Sequence, residues 1–207
     1  MMIYDISIVF SSFLFWVIID RVSLFKNDKI VNSSLIHSII TGIGGNVCCA
    51  LYPMIIYDYQ LVKDTLPFTV RVVPLIFTGY SVYDFYLGIK TMEMEYIFHG
   101  LIFIYGCNSA YTQSIMPTLN VVTLMETSSI FLNIRPLKQP WIDVLFVITF
   151  FLYRIIIFPT LITIYILNDK QMGRGNVFIG GTLITALNVY WFYYIMQKAV
   201  KQLKINN

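Results

Sequence analysis

Charge is what this sequence has least of. Acidic and basic residues together make up 12% of the 207 positions, against about 25% in a typical soluble domain. The net balance is only +3, and no basic run is dense enough to suggest a nucleic-acid partner. Cysteine is nearly as scarce. Cys48 and Cys49 are adjacent and Cys107 stands alone, all three inside apolar stretches. That spacing suits neither a zinc site nor a disulfide framework, so they read as packing thiols and no metal is expected. There is no GxGxxG, no Walker loop, no HExxH and no low-complexity segment. The lack of an internal repeat argues against an inverted-repeat transporter.

Apolar residues fill the space. They account for 57% of the chain, and the mean hydropathy is +0.72. A membrane helix needs about 20 apolar residues. Seven segments approach that: 3–19, 35–57, 67–90, 95–114, 117–134, 141–167 and 176–197. The fourth and fifth are short and are separated by the polar patch "NSAYTQS". The expected fold is an all-α membrane protein, about seven transmembrane helices in a bundle or helical barrel around a central polar or lipid cavity. The first segment lacks a basic leader region and runs into Asp20-Arg21, so it is expected to be an uncleaved anchor. The chain then divides into an anchor and cytosolic loop (1–30), a main transmembrane unit (31–200) and a short tail (201–207).

Positive residues predict the orientation. The odd-numbered loops and the tail hold Arg21, Lys26, Lys29, Lys90, Arg135, Lys138, Lys198, Lys201 and Lys204, whereas the N-terminus and even loops hold Lys63, Lys170 and Arg174. The positive-inside rule places the richer side in the cytosol and the N-terminus in the lumen or exterior. The only N-x-S/T sequon, Asn32-Ser33-Ser34, then falls in a cytosolic loop.

The few polar residues inside the apolar segments fall at similar depth. His37 and His99 lie near the cytosolic entrances of the second and fourth segments. With the rise of a helix, Asp84 lies about 9 Å from the same side, Glu126 about 13 Å and Asn188 about 15 Å. Helical spacing puts Tyr80 and Asp84 on one face, Glu126, Ser129 and Asn133 on a second, and Asn188 and Trp191 on a third. Lipid exposure of an ionisable side chain costs at least about 2.5 kcal/mol, so these groups should turn inward. A shared polar cavity opening to the cytosolic leaflet follows. Asn133 and Asn188 also fit a role as interhelical hydrogen-bond partners, and His37 sits close enough to the interface for a structural role. Arg71 is expected to snorkel from a helix end, with Asp5 and Asp143 solvated. Arg154, near mid-membrane, must find an ion-pair or carbonyl partner.

Six segments in this order carry a family resemblance: "SSLIHSIITG", "GYSVYDFYLGI", "YIFHGLIFIYG", "LMETSSIFLNIR", "FLYRIIIFP" and "ALNVYWFYYIM". Over roughly residues 30–200 the chain resembles the TLC-domain (TRAM/Lag1/CLN) family, most closely its small members. Their E-x-S-x-x-F-x-N-x-R pattern is matched by Glu126, Ser128, Phe131, Asn133 and Arg135. The resemblance implies an endoplasmic-reticulum or plasma-membrane protein of lipid synthesis, sensing or trafficking. Ceramide synthases of the family transfer an acyl group from acyl-CoA to a sphingoid amine and need a histidine pair. Here His99 matches the first member and Gly100 replaces the second. The paired aspartates of the ceramide-synthase motif are also missing, and Glu126 stands in that region.

The expected function is therefore lipid metabolism or membrane-lipid homeostasis. If the protein is an enzyme, acyl transfer from acyl-CoA, as co-substrate, to a lipid amine is the expected reaction. In that case His99, Asp84 and Glu126 are the expected catalytic set. His37, Tyr80, Ser129, Asn133, Arg135, Asn188 and Trp191 are the expected substrate contacts, with Arg135 and Lys138 at the rim facing CoA phosphates. The alternative is a non-enzymatic lipid sensor, carrier or cargo-binding protein using the same cavity. A small-solute transporter or receptor fits the helix number but not the motif order. Gly100 argues against ordinary ceramide synthesis.

Overall fold

The computed structural model describes residues 2–22, 29–57, 65–113, 115–168 and 174–205. Lys26, Lys63 and Lys170, used in predicting the orientation, lie outside the described residues, as do the 23–28 loop and the last two residues of the tail. Among the described residues there is no strand. The elements are α1 (Met2–Arg21), α2 (Lys29–Leu51), α3 (Met54–Tyr57), α4 (Thr69–Thr91), α5 (Met94–Thr112), α6 (Asn120–Thr123), α7 (Glu126–Ile134), α8 (Pro140–Phe150), α9 (Phe158–Asn168) and α10 (Arg174–Ile205). An all-helical architecture is what lipid demands, since a helix satisfies its own backbone where no water can.

Among the described residues, five helical stretches are long and apolar enough to cross a membrane: Ile3–Arg21, Asn32–Leu51, Thr69–Thr91, Pro140–Leu167 and Phe178–Ala199. The other two expected spans differ from them for identifiable reasons. The fourth is α5, a 19-residue helix whose Glu95, His99 and Asn108 lower its hydropathy. The fifth is not one helix. It is broken into a 3-10 turn (Met116–Leu119), α6, α7 and a second 3-10 turn (Arg135–Leu137). Short polar side chains cause the break by binding backbone carbonyls three residues back. Asn120 Nδ2 donates to the Pro117 carbonyl (2.7 Å), Thr123 Oγ1 to that of Asn120 (2.9 Å) and Ser128 Oγ to that of Met125 (2.8 Å). Such local bonds compete with the α-helical ladder.

Two close approaches fix the helices around the cavity. Met92, in the left-handed region (φ 59°), donates its N–H to the Gly88 carbonyl and turns the chain, so that α5 folds back along α4. Gly100 faces α4 at this contact. A Cβ there would stand 2.7 Å from the Phe85 backbone nitrogen. On the other side, α2 crosses α7 at Gly42, where a Cβ would stand 2.8 Å from the Thr127 nitrogen. Asn46 ties the crossing by donating to both the Gly42 carbonyl and Thr127 Oγ1 at 2.8 Å.

The first helix is docked as part of the bundle. Trp16 is fully buried, and its indole N–H donates to Ser12 Oγ (3.0 Å), which in turn donates to the Ile76 carbonyl of α4 (3.0 Å). Arg71 does not snorkel as its position near a helix end suggested. It pairs at 2.8 Å with Asp5, which is buried and not solvated, because α1 and α4 pack side by side. Asn32 is also buried, 1% exposed. Glycosylation needs an accessible side chain, so mass spectrometry of the protein expressed in a glycosylating host should show no N-glycan at Asn32, whichever side it faces.

The sixth expected span, 141–167, runs as one continuous helical column with a π-helical segment, Phe151–Ile157, between α8 and α9. Pro159 supplies the reason. It has no N–H for the carbonyl four residues back and its ring crowds that turn. The column widens instead, and the Phe158 N–H reaches the Tyr153 carbonyl. Such wide turns often mark functional positions. Here the segment carries Arg154.

Candidate functional site

A cavity of about 580 Å3 is enclosed by α2, α4, α5, α7, α8, the π segment and α10. Of the ten residues expected from the sequence, nine line it: His37, Tyr80, Asp84, His99, Glu126, Ser129, Asn133, Arg135 and Trp191. Asn188 stands behind the wall, 1% exposed. Phe146, Val147, Phe150 and Ile195 give the α8 and α10 side an apolar lining.

The α4–α5 hairpin brings Asp84 and His99 face to face. His99 Nδ1 lies 2.8 Å from Asp84 Oδ2. The carboxylate is almost wholly enclosed, whereas about a third of the imidazole is exposed. With Nδ1–H donating to the carboxylate, the lone pair of Nε2 is free to take a proton. Gly100 beside it does not face an open site. Its missing Cβ points at the Phe85 backbone, so an imidazole here would force α4 and α5 apart. Gly100→His should therefore lower the thermal unfolding temperature measurably, an overpacking cost of about 1–3 kcal/mol, and should not create a histidine pair. A variant as stable as the native protein would contradict this packing.

A second aromatic wall faces the same space. His37 stacks on Tyr80, with ring centroids 3.6 Å apart and planes 9° from parallel. The Tyr80 hydroxyl lies 2.8 Å from Ser34 Oγ. Trp16 packs edge-on against both rings. His37 Nε2 is 3.4 Å from Thr41 Oγ1, and its buried Nδ1 has no hydrogen-bond partner among the described residues. Asn133, from α7, donates to Ser38 Oγ on α2 at 3.1 Å.

Arg154 is the residue that sequence reasoning left out of the site. Its position amid apolar residues required a partner, and the structure supplies several. Nε donates to Ser128 Oγ (2.8 Å), Nη2 to Ser129 Oγ (2.8 Å) and Nη1 to Asn188 Oδ1 (3.3 Å). Nη2 lies 4.0 Å from Glu126 Oε1, too far for a hydrogen bond. The guanidinium also sits over the Phe150 ring at 5.2 Å. Asn188 completes its own bonding through Met125 Sδ at 3.3 Å, so it positions Arg154 without lining the cavity. The signal was present in the sequence: an arginine at that depth is costly wherever it has no internal role.

At the rim, Arg135 Nε donates to Asp143 Oδ1 at 2.7 Å, both half-exposed. Asp143 is thus paired, and Lys198 joins Arg135 along the cavity edge.

These features define a multi-helix integral membrane protein with a mostly apolar cavity that carries a cluster of polar and ionisable side chains. A model of the TLC domain (TRAM/LAG1/CLN8) matches residues 32–197, and the chain belongs to the TLC-domain family. It is thereby a member of a membrane-protein family tied to lipid metabolism and homeostasis. The docked α1, carrying Trp16, precedes the matched span. No curated protein and no solved structure matches the chain.

Proposed function

We propose that this protein binds a membrane lipid in the cavity and transfers an acyl group there, from acyl-CoA to a lipid amine. The observation that carries the reading is the His99–Asp84 pair, with an oriented imidazole partly exposed on the wall of a lipid-sized space. Asp84 orients the ring and favours the imidazolium that forms. His99 Nε2 removes a proton from the amine as its nitrogen attacks the thioester carbonyl. The C–S bond then breaks, and the imidazolium returns the proton to the leaving CoA thiolate. The apolar lining from α8 and α10 accommodates the hydrocarbon chain, and Arg135 with Lys198 offers positive charge at the rim. With the positive-rich side cytosolic, that rim meets acyl-CoA where it is made; the endoplasmic reticulum is the proposed membrane.

A second reading keeps the lipid and drops the reaction. It is favoured by the single imidazole, because Gly100 occupies the second position of the family's pair against the α4 backbone. A sphingoid base should then be a poor acceptor and ceramide should not form. Purified protein given acyl-CoA and a set of lipid amines separates the readings: free CoA thiol and a lipid amide appear if the protein is an acyltransferase. Retained lipid without thiol release identifies a carrier or sensor. Robust ceramide formation would show that one histidine suffices.

A further inference from the structure

The Arg154–Glu126 pair is incomplete in a specific way. Arg154 has five N–H groups, and hydrogen bonds to Ser128, Ser129 and Asn188 engage three of them. Glu126 accepts no hydrogen bond among the described residues, although it is 6% exposed and its carboxylate lines the cavity. The nearest atoms of the two charges stand 4.0 Å apart. A buried carboxylate without a hydrogen bond is costly, so a group that hydrogen-bonds to both charges would be favoured between them.

We propose that the gap between Arg154 and Glu126 is a subsite for a lipid hydroxyl group, which accepts from Arg154 and donates to Glu126. This rests on the lipid-binding reading of the cavity. One oxygen about 2.8 Å from each atom spans 4.0 Å with an angle of about 90° at the oxygen, close to what a hydroxyl uses when it donates and accepts at once. Other headgroup chemistries fit less well. A phosphate or carboxylate meets Glu126, an ammonium meets Arg154, and an ester carbonyl accepts from Arg154 but leaves Glu126 unpaired. The hydroxyl satisfies both partners and adds no charge to a neutral pair. A water molecule has the same bonding capacity, so the subsite selects among lipids only if the ligand's hydroxyl displaces it.

The test is a binding comparison on the purified full chain in detergent, with hexadecanol, its methyl ether and hexadecane, read by quenching of tryptophan fluorescence. Trp191 lines the cavity and reports occupancy. The methyl ether keeps the acceptor and loses the donor. Hexadecanol should bind about tenfold more tightly than the ether, as expected for a hydrogen bond to a charged group. The double variant Arg154→Met with Glu126→Met removes both charges together, a change that buried pairs often tolerate, and should bind alcohol and ether alike. If the double variant does not fold, Glu126→Gln, which keeps an acceptor but not the charge, should show a reduced preference. Equal binding of alcohol and ether by the native protein would overturn the proposal and assign the gap to water. A preference that persists in the double variant would overturn it too, because another group would be reading the hydroxyl. If no probe binds, the lipid-binding reading fails, and the subsite with it.

Discussion

Replacing His99 by alanine is expected to lower acyl transfer by about 10²–10⁴-fold while leaving a folded protein in the membrane. The range is that of a positioned general base. It applies because Nδ1 is held at 2.8 Å by Asp84 while the ring is partly exposed to the cavity. The variant strands a nearly enclosed carboxylate, so folding must be read separately, by elution profile and thermal unfolding. Asp84→Asn supplies the control. It keeps a hydrogen-bond acceptor for Nδ1 but removes the charge that favours the imidazolium, so activity should fall while the fold is retained. A His99→Ala protein that is well folded and fully active would remove His99 from the chemistry. One that is degraded, with Asp84→Asn well folded and fully active, would mark the pair as structural.

The second large effect is on stability. Arg154→Met should be strongly destabilising, by about 3–5 kcal/mol, the usual cost of removing one member of a buried charge pair. The side chain holds Ser128 and Ser129 of α7 and Asn188 of α10 at once, and is the nearest cation to Glu126. Its loss unties three elements and leaves a carboxylate without a counter-charge. Thermal unfolding in detergent should show a large drop for the single variant and a partial recovery when Glu126→Met is added. If the single variant unfolds at the native temperature, Arg154 is not the tie between α7, the π segment and α10.

The parts of this site that were legible in the sequence are those governed by cost. His99, Asp84 and Glu126 sit in apolar segments where exposure to lipid is unfavourable, and helical rise alone put them at similar depth. The backbone irregularities were not legible. The break between α6 and α7 depends on Asn120, Thr123 and Ser128 bonding to carbonyls three residues away, a choice that hydropathy does not record. The π segment depends on how the chain accommodates Pro159, and a helix containing proline can kink, break or widen. Arg154 was visible as a residue needing a partner, but its Ser128, Ser129 and Asn188 contacts come from two other elements. Asp5 and Arg71 were misjudged for the same reason. Each lies near a helix end, where water is the default expectation, and the packing of α1 on α4 substitutes one for the other's solvent. Gly100 shows the reverse case. In the sequence it reads as a lost imidazole, and in the structure it is the point where two helix backbones touch.

The central claim is that the cavity beside His99 holds a lipid. Native mass spectrometry of the protein purified from membranes in mild detergent tests it most directly, with Val147→Trp as the comparison. Val147 is an apolar lining residue of the cavity and makes no hydrogen bond through its side chain, so the larger side chain fills ligand space without removing a polar group. The account predicts one retained lipid per native chain and a lipid-free variant that still unfolds cooperatively. A native protein that carries no lipid, or a folded Val147→Trp variant that retains it equally, would contradict the account.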